Sequence, residues 1–173
     1  MSVMYHMTLH PPLLKRDFWL YVWKVGLPDG RFTHYVGMTG DVTGVAGSAF
    51  GRLSTHVGKN GTNNALRRNL RRGGLDVEDC LSLDFYAYGP IYSVPENSQL
   101  ENRAIYESLR RRVAALEKRL WYRMRLGGYK MLNSQPGATA LVDGTKWKRA
   151  CTEFQKYFPN LKSQLDDAPT AHL

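Results

Sequence analysis

The chain has 173 residues, 43% hydrophobic and 12% aromatic, the make-up of a folded globular protein, which excludes a disordered one. Lys and Arg number 24 against 15 Asp and Glu, a formal charge of +9, so a polyanionic partner is expected, with nucleic acid ahead of a membrane surface. No run of about 18 apolar residues occurs, so no membrane-spanning helix is expected, and Cys80 and Cys151 lie far apart outside any C-x-x-C, so neither a zinc site nor a disulfide framework is indicated.

The length suits one domain, with residues 1–16 as an N-terminal arm, 17–137 as the body and 138–173 as a last helix and a tail that frays after Leu161. The start, MSVMYHMTLHPPLLKRD, lacks the basic segment, apolar core and small-residue cleavage site of a signal peptide, so an intracellular location is the default. Pro11 and Pro12 favour an extended arm.

From Phe18, FWLYVWKVGL is rich in aromatic and β-branched residues and reads as a well-buried strand. Pro28-Asp29-Gly30-Arg31 is a turn, and FTHYVGMT returns as a second strand to make a hairpin. Tyr21 and Tyr35 sit on these partner strands. Glycines 37, 40, 44, 47 and 51 then break the chain into a loop, with no Lys-Ser/Thr after the last one and no G-x-G-x-x-G, so it is not a nucleotide cradle. A short helix from about Ser48 to Val57 places Arg52 and His56 at i and i+4, a cation and an imidazole on one face. A strand end, a loop and this polar pair make a catalytic or phosphate-binding corner.

A second helix, from about Asn63 to Arg72, sets Arg67, Arg68, Arg71 and Arg72 opposite Leu66 and Leu70, a basic stripe suited to phosphates, with Gly73-Gly74 as stop signals. Asp76, Glu78 and Asp79 lack the glycine and terminal glutamate of a calcium loop and read as a solvated turn. Leu81 to Tyr92 alternates as a third strand until Gly89-Pro90 disrupts it. Ser98-Gln99-Leu100-Glu101 is a capping box opening the longest helix, to about Leu126. Its apolar stripe, Ile105, Leu109, Val113, Leu116, Leu120 and Met124, is expected to lie on the sheet, with Glu117 at the stripe's border looking into a cleft. Arg110, Arg111 and Arg112 are placed on the solvent side, with Glu107 as partner of Arg111. Thr145 is the expected cap of a last amphipathic helix carrying Trp147, Cys151, Phe154 and Phe158, packed on the domain or on a second subunit. Trp23 and Trp121 are expected in the core.

Taken together, these pieces resemble the GIY-YIG nucleases from about Trp19 to Asn133. Trp19-Leu20-Tyr21 stands where that family has Gly-Ile-Tyr, and Tyr35-Val36-Gly37 where it has Tyr-Ile-Gly. Arg52-Leu53-x-x-His56 is similar to its arginine helix, Glu117 to its single glutamate, and Leu132-Asn133 to its closing asparagine. One departure is Trp19, in place of the first glycine. The fold class implied is α+β, a three-stranded antiparallel sheet flanked by helices, in agreement with the order of elements read above.

The resemblance implies a metal-dependent endonuclease that hydrolyses phosphodiester bonds. Glu117 would hold one Mg²⁺ or Mn²⁺, Arg52 would clamp the scissile phosphate, one of Tyr21 and Tyr35 would act as general base with the other orienting the water, and Asn133 would order the site. A phenol needs a cationic neighbourhood to serve as base, which His56, Arg52 and Lys24 can supply. His34 adjoins Tyr35 and can line the cleft, so Lys24 and His34 join the arginine stripe as candidate contacts to nucleic acid. The chain is most similar to small stand-alone restriction- or phage-type enzymes acting on DNA, and cutting a duplex would favour a homodimer. Two other readings stay open: a module of the same fold that grips nucleic acid without cutting, and a nuclease directed at RNA.

Overall fold

The computed structural model describes residues 4, 6–40, 47–58, 64–93, 103–138 and 140–161. The expected capping box at Ser98–Glu101, the loop glycine at 44 and the tail beyond Leu161 lie outside them.

Three strands form one antiparallel sheet in the order β2-β1-β3: β1 is Phe18–Gly26, β2 Phe32–Met38 and β3 Ser82–Tyr92. Every residue of β1 is buried except the half-buried Lys24, because β1 is the middle strand and both sheet faces are covered. Alternation along β1 therefore divides two cores. Phe18, Leu20 and Val22 face one way, with Val36 and Met38 of β2, under the long helix; Tyr21, Trp23 and Val25 face the other, with Leu66 and Leu70. The turn into β2 closes through Gly30 at φ +79°, a left-handed conformation that glycine adopts without a Cβ clash.

On the second face lie α1 (Ala49–Val57) and α2 (Ala65–Arg72), each opened by a side-chain cap. Ser48 Oγ accepts from the Gly51 N–H at 2.9 Å, and Asn64 Oδ1 from the Arg67 N–H at 3.0 Å. On the first face lie α3, described over Arg103–Leu126, and α4 (Gly144–Gln155), whose Trp147, Cys151 and Phe154 enter the same core, followed there by Phe158 and Leu161. Trp23 and Trp121 are buried as expected.

Four expectations change. The third strand runs through Gly89-Pro90, and a register shift opposite Phe18–Leu20 absorbs the irregularity. Trp19 covers that point, its ring 2.7 Å from where a Cβ on Gly89 would stand, so the tryptophan that departs from the resembled motif fits because its neighbour is glycine. The buried stripe of α3 begins at Tyr106, not at Ile105, which is 50% exposed; a one-residue rotation of the first turn exchanges them. α4 is capped by Asp143, whose Oδ1 accepts from the Lys146 N–H at 2.9 Å, and not by Thr145. The arm is folded: Pro11–Leu14 forms a 3-10 turn against α1.

After α3, residues 130–132 pair with the outer edge of β2. His34 donates its N–H to the Lys130 carbonyl at 2.8 Å, and Leu132 donates to the His34 carbonyl at 2.7 Å. Asn133 extends this pairing with its side chain. Its Oδ1 accepts from the Val36 N–H at 3.3 Å and its Nδ2 donates to the Val36 carbonyl at 2.9 Å. An amide side chain thus does for Val36 what a neighbouring strand would do.

Candidate active site

Tyr21 and Tyr35 project from adjacent strands on the α1 side of the sheet. Their rings stack with centroids 6.4 Å apart and planes 10° apart. Tyr21 faces Gly37 across the pair, and a Cβ at Gly37 would run into the Tyr21 phenol. Glycine is needed there because the ring lies over the partner strand.

His56 of α1 closes the group. Its ring meets Tyr21 and Tyr35 edge-on at 5.5 and 5.1 Å, and Nε2 lies 2.9 Å from the Tyr21 hydroxyl. The Leu66 backbone N–H, in the first turn of α2, donates to Nδ1 at 3.3 Å. An accepting Nδ1 carries no proton, so in the neutral ring the proton is on Nε2 and is donated to the Tyr21 oxygen. Burial, with Arg52 assisting, pushes the His56 pKa down to about 4. The imidazole is therefore neutral near pH 7, correcting the expectation that it adds positive charge beside the phenols.

Burial also raises both phenols, Tyr21 well above its ordinary value and Tyr35 to about 12, with Arg52 pulling each the other way. Tyr21 is 2% exposed, while Tyr35 is half-buried and reaches the surface.

Glu117 comes from α3, on the other side of the sheet. Arg110, Glu117 and Trp121 are spaced by seven and four residues, which places them in one stripe of the helix. Arg110 Nε donates to the Gly40 carbonyl just beyond β2 at 3.2 Å, and Trp121 Nε1 donates to the Asn133 carbonyl at 2.9 Å. Glu117 therefore faces the outer margin of β2 between these two contacts. Its charge acts on both phenols, raising them, and Arg110 and Arg52 act on it. Burial outweighs both arginines and holds the Glu117 carboxyl up at about 7.

Among the described residues neither the Glu117 carboxylate nor the Arg52 guanidinium has a hydrogen-bonded or ion-paired partner. A desolvated acid and an unpaired guanidinium sharing a field with two phenols are a costly arrangement for a merely structural cluster.

No group of three or more His, Cys, Asp or Glu side chains able to hold a metal occurs among the described residues. A cage of protein ligands is therefore not what they offer. The donor set is one carboxylate, which fits a hard divalent cation that keeps several waters and takes further oxygens from a phosphate.

The other expected contacts divide. His34 does not line the cleft: it is buried on the opposite face against Tyr129 and Phe158, at 5.1 and 5.8 Å, because residues 34 and 35 of a strand point to opposite sides. Lys24 shares that face, its ammonium 4.2 Å from the Phe32 ring centroid, so it adds no charge beside the phenols. Arg67 turns inward, 4% exposed, with Nη1 at 2.7 Å from Asp76 and 2.9 Å from Glu78, and Nη2 donating to the Val57 carbonyl at 2.9 Å. The basic stripe is thus three exposed arginines, Arg68, Arg71 and Arg72, of which Arg71 pairs with Asp76 at 2.8 Å. The expected solvated turn at Asp76 and Glu78 anchors Arg67. Glu107 pairs with Arg103 at 3.0 Å and not with Arg111.

Arg110 is the site residue that sequence alone does not single out. It sits within a triple arginine that reads as a solvent face, and its seven-residue spacing to Glu117 is the one signal that points to it.

Comparison of the chain with protein-family models, with curated proteins and with solved structures finds no match.

Proposed function

We propose that this chain is a divalent-cation-dependent endonuclease acting on DNA, as its resemblance to the GIY-YIG nucleases implies. The observation that carries the reading is the convergence of Tyr21, Tyr35, His56, Arg52 and Glu117 from β1, β2, α1 and α3 at one margin of the sheet.

In this reading Arg52 meets the scissile phosphate with paired donors and stabilises charge developing on its oxygens. Glu117 holds Mg²⁺ or Mn²⁺. The bound cation supplies Lewis-acid polarisation of the phosphate and charge for the leaving oxygen.

Tyr21 is the general base as its phenolate, once its own proton has passed to bulk water. Its oxygen accepts the His56 Nε2 proton, and a hydrogen bond donated to the charged form favours that form. Tyr35, nearer solvent, orients the attacking water. Burial is the main obstacle to phenolate formation at both tyrosines, and the Glu117 charge adds to it, so a cation that compensated Glu117 would remove only that added part. Asn133 acts at a distance, as a positioning residue, by holding the Val36 backbone between Tyr35 and Gly37.

The high phenol pKa values favour a second reading, a module that grips nucleic acid without cutting. Nicking of supercoiled plasmid with Mg²⁺, measured beside DNA binding, separates the two. In the endonuclease reading Glu117→Gln and Arg52→Ala each slow nicking by about a hundredfold or more, while Glu117→Gln binds DNA at least as well as wild type. Wild-type protein that binds plasmid and leaves it intact with Mg²⁺ or Mn²⁺ refutes the endonuclease reading and supports the module.

A further inference from the structure

The outer edge of β3 faces no strand among the described residues. Five consecutive residues of it, Phe85 to Gly89, line a cavity of about 400 Å³. A sheet face would contribute only every second residue, so the opening runs along the strand's edge. A second cavity of about 540 Å³ shares Tyr88 and Glu153 with the first and continues it along α4.

His10, Pro12 and Leu13 of the arm also line the first cavity, and the remaining two walls differ in chemistry. One is aromatic: Tyr86 packs on Tyr157 at 4.9 Å, Tyr88 on Phe154 at 6.3 Å, and Tyr157 is 62% exposed. The other is the exposed face of α4, where Thr145, Lys148, Arg149 and Thr152 recur at helical spacing opposite the buried Trp147, Ala150, Cys151 and Phe154. Arg149 acts electrostatically on the Tyr88 hydroxyl. The one acid in the trough, Glu153, is engaged by Lys156 at 2.6 Å. Among the described residues the Lys148 and Arg149 side chains have no ion-paired or hydrogen-bonded partner.

The exposed Tyr157 ring and the half-buried Tyr88 ring, beside cations without a partner among the described residues and in a trough of nucleotide size, are what a single strand needs: a face for each base and a charge for each phosphate. We propose that the trough between the β3 edge and α4 binds single-stranded nucleic acid, with a base against Tyr88 or Tyr157 and its phosphate on Lys148 and Arg149. The inference rests on the nuclease reading for its expectation of a nucleic-acid partner. Phe85 lines the trough and its ring centroid lies 5.4 Å from that of Tyr21, so β3, which carries the trough, is the direct neighbour of the strand that carries Tyr21. The formal charge of +9 favours this occupant over an extended peptide added to the strand edge.

The test measures anisotropy of a labelled oligothymidylate of about eight nucleotides, and of a blunt duplex, with full-length protein in EDTA. Arg149→Gln combined with Lys148→Gln, and separately Tyr88→Ala, should each weaken oligothymidylate binding about tenfold and change duplex binding much less. The double variant should also reduce the salt slope for the single strand by about 0.7 for each phosphate no longer neutralised. Tyr88→Phe should bind as wild type, since stacking needs the ring and not the hydroxyl, which separates loss of stacking from loss of packing.

Oligothymidylate affinity unchanged by the Lys148/Arg149 pair and by Tyr88→Ala, with duplex binding intact, overturns the trough and leaves the nuclease reading standing. Competition by polyglutamate as strong as that by unlabelled oligothymidylate also overturns it, by showing attraction of any polyanion. A wild-type chain that binds neither oligonucleotide overturns the nuclease reading and the trough with it.

Discussion

Leu66 donates its backbone N–H to His56 Nδ1, and that hydrogen bond limits what the imidazole can do. It holds the proton on Nε2, where it reaches Tyr21, so the imidazole does not take the phenol's own proton. His56 and Glu117 then make opposite demands on pH. His56 titrates near 4 in the fold against an ordinary value near 6.5, so its contribution to stability is complete above pH 6.5 and is lost as pH falls toward 4. Glu117 titrates near 7 against 4.5, so its contribution is complete below pH 4.5 and is lost as pH rises toward 7. Between about pH 4.5 and 6.5 the two slopes oppose each other.

Denaturant unfolding should expose each in turn. Glu117→Gln leaves stability that rises with pH across this window, and His56→Gln leaves stability that falls, each by up to about 1.4 kcal/mol per pH unit. Parallel curves for the two variants would refute the assigned burial. At the same scale, Gly37→Ala sets a methyl against the Tyr21 ring and should cost about 1–3 kcal/mol by overpacking. An unshifted unfolding midpoint would show that the ring has room to move.

Among the elements, β2 carries Tyr35 and Gly37 and is held on its outer edge by residues 130–133. Removing the amide in Asn133→Ala leaves the Val36 N–H and carbonyl without that partner and should cost about 1–3 kcal/mol. Its effect on nicking should then resemble that of other changes that loosen β2. Helix α2 makes a different forecast from its composition. Arg67→Ala should destabilise the fold most of the four arginines, because it removes the one buried guanidinium of the four together with its ion pairs to Asp76 and Glu78 and its hydrogen bond to the Val57 carbonyl. Arg68→Gln with Arg72→Gln should leave stability unchanged and reduce the salt slope for duplex binding by about 0.9 for each phosphate no longer neutralised. Equal loss of stability in all four would contradict the inward placement of Arg67.

The same helix shows where the sequence is legible and where it is not. Strand alternation puts Tyr21 and Tyr35 on partner strands, and i, i+4 spacing pairs Arg52 with His56, because each depends only on local period. Which of four arginines in an eight-residue helix turns inward is decided by acids beyond its end. Local spacing carries no record of that ion pair. His34 is a different case, since the period needed to place it is present: it neighbours Tyr35 in the chain and so lies on the other face. Arg110 and the 130–133 pairing depend on where α3 sits against β2, and on Asn133 replacing a strand, which no propensity encodes.

At the scale of the whole molecule, a three-stranded sheet divides two cores, and the candidate site sits at one margin of it, where side chains from both faces can meet. None of the helices described is long and apolar enough to cross a membrane. The excess of basic residues over acidic ones raises the rate of encounter with a polyanion and makes affinity strongly dependent on salt. In the endonuclease reading one site would cut one strand, so cleavage of both strands would take two copies of the chain; sedimentation on duplex DNA should then give a two-to-one complex, and a single copy per duplex would remove that proposal.

In the endonuclease reading Glu117, poised near neutrality, is where protons and a divalent cation would compete. The measurement is the rate of plasmid nicking against pH at several concentrations of Mg²⁺. The rising limb should have its midpoint near or below pH 7 and move to lower pH as Mg²⁺ increases, by up to about one unit per tenfold below saturation, because the cation binds the deprotonated carboxylate. Glu117→Gln should abolish both the rate and the shift. A midpoint that stays fixed as Mg²⁺ rises, or a Glu117→Gln variant that nicks as fast as wild type, would contradict the account.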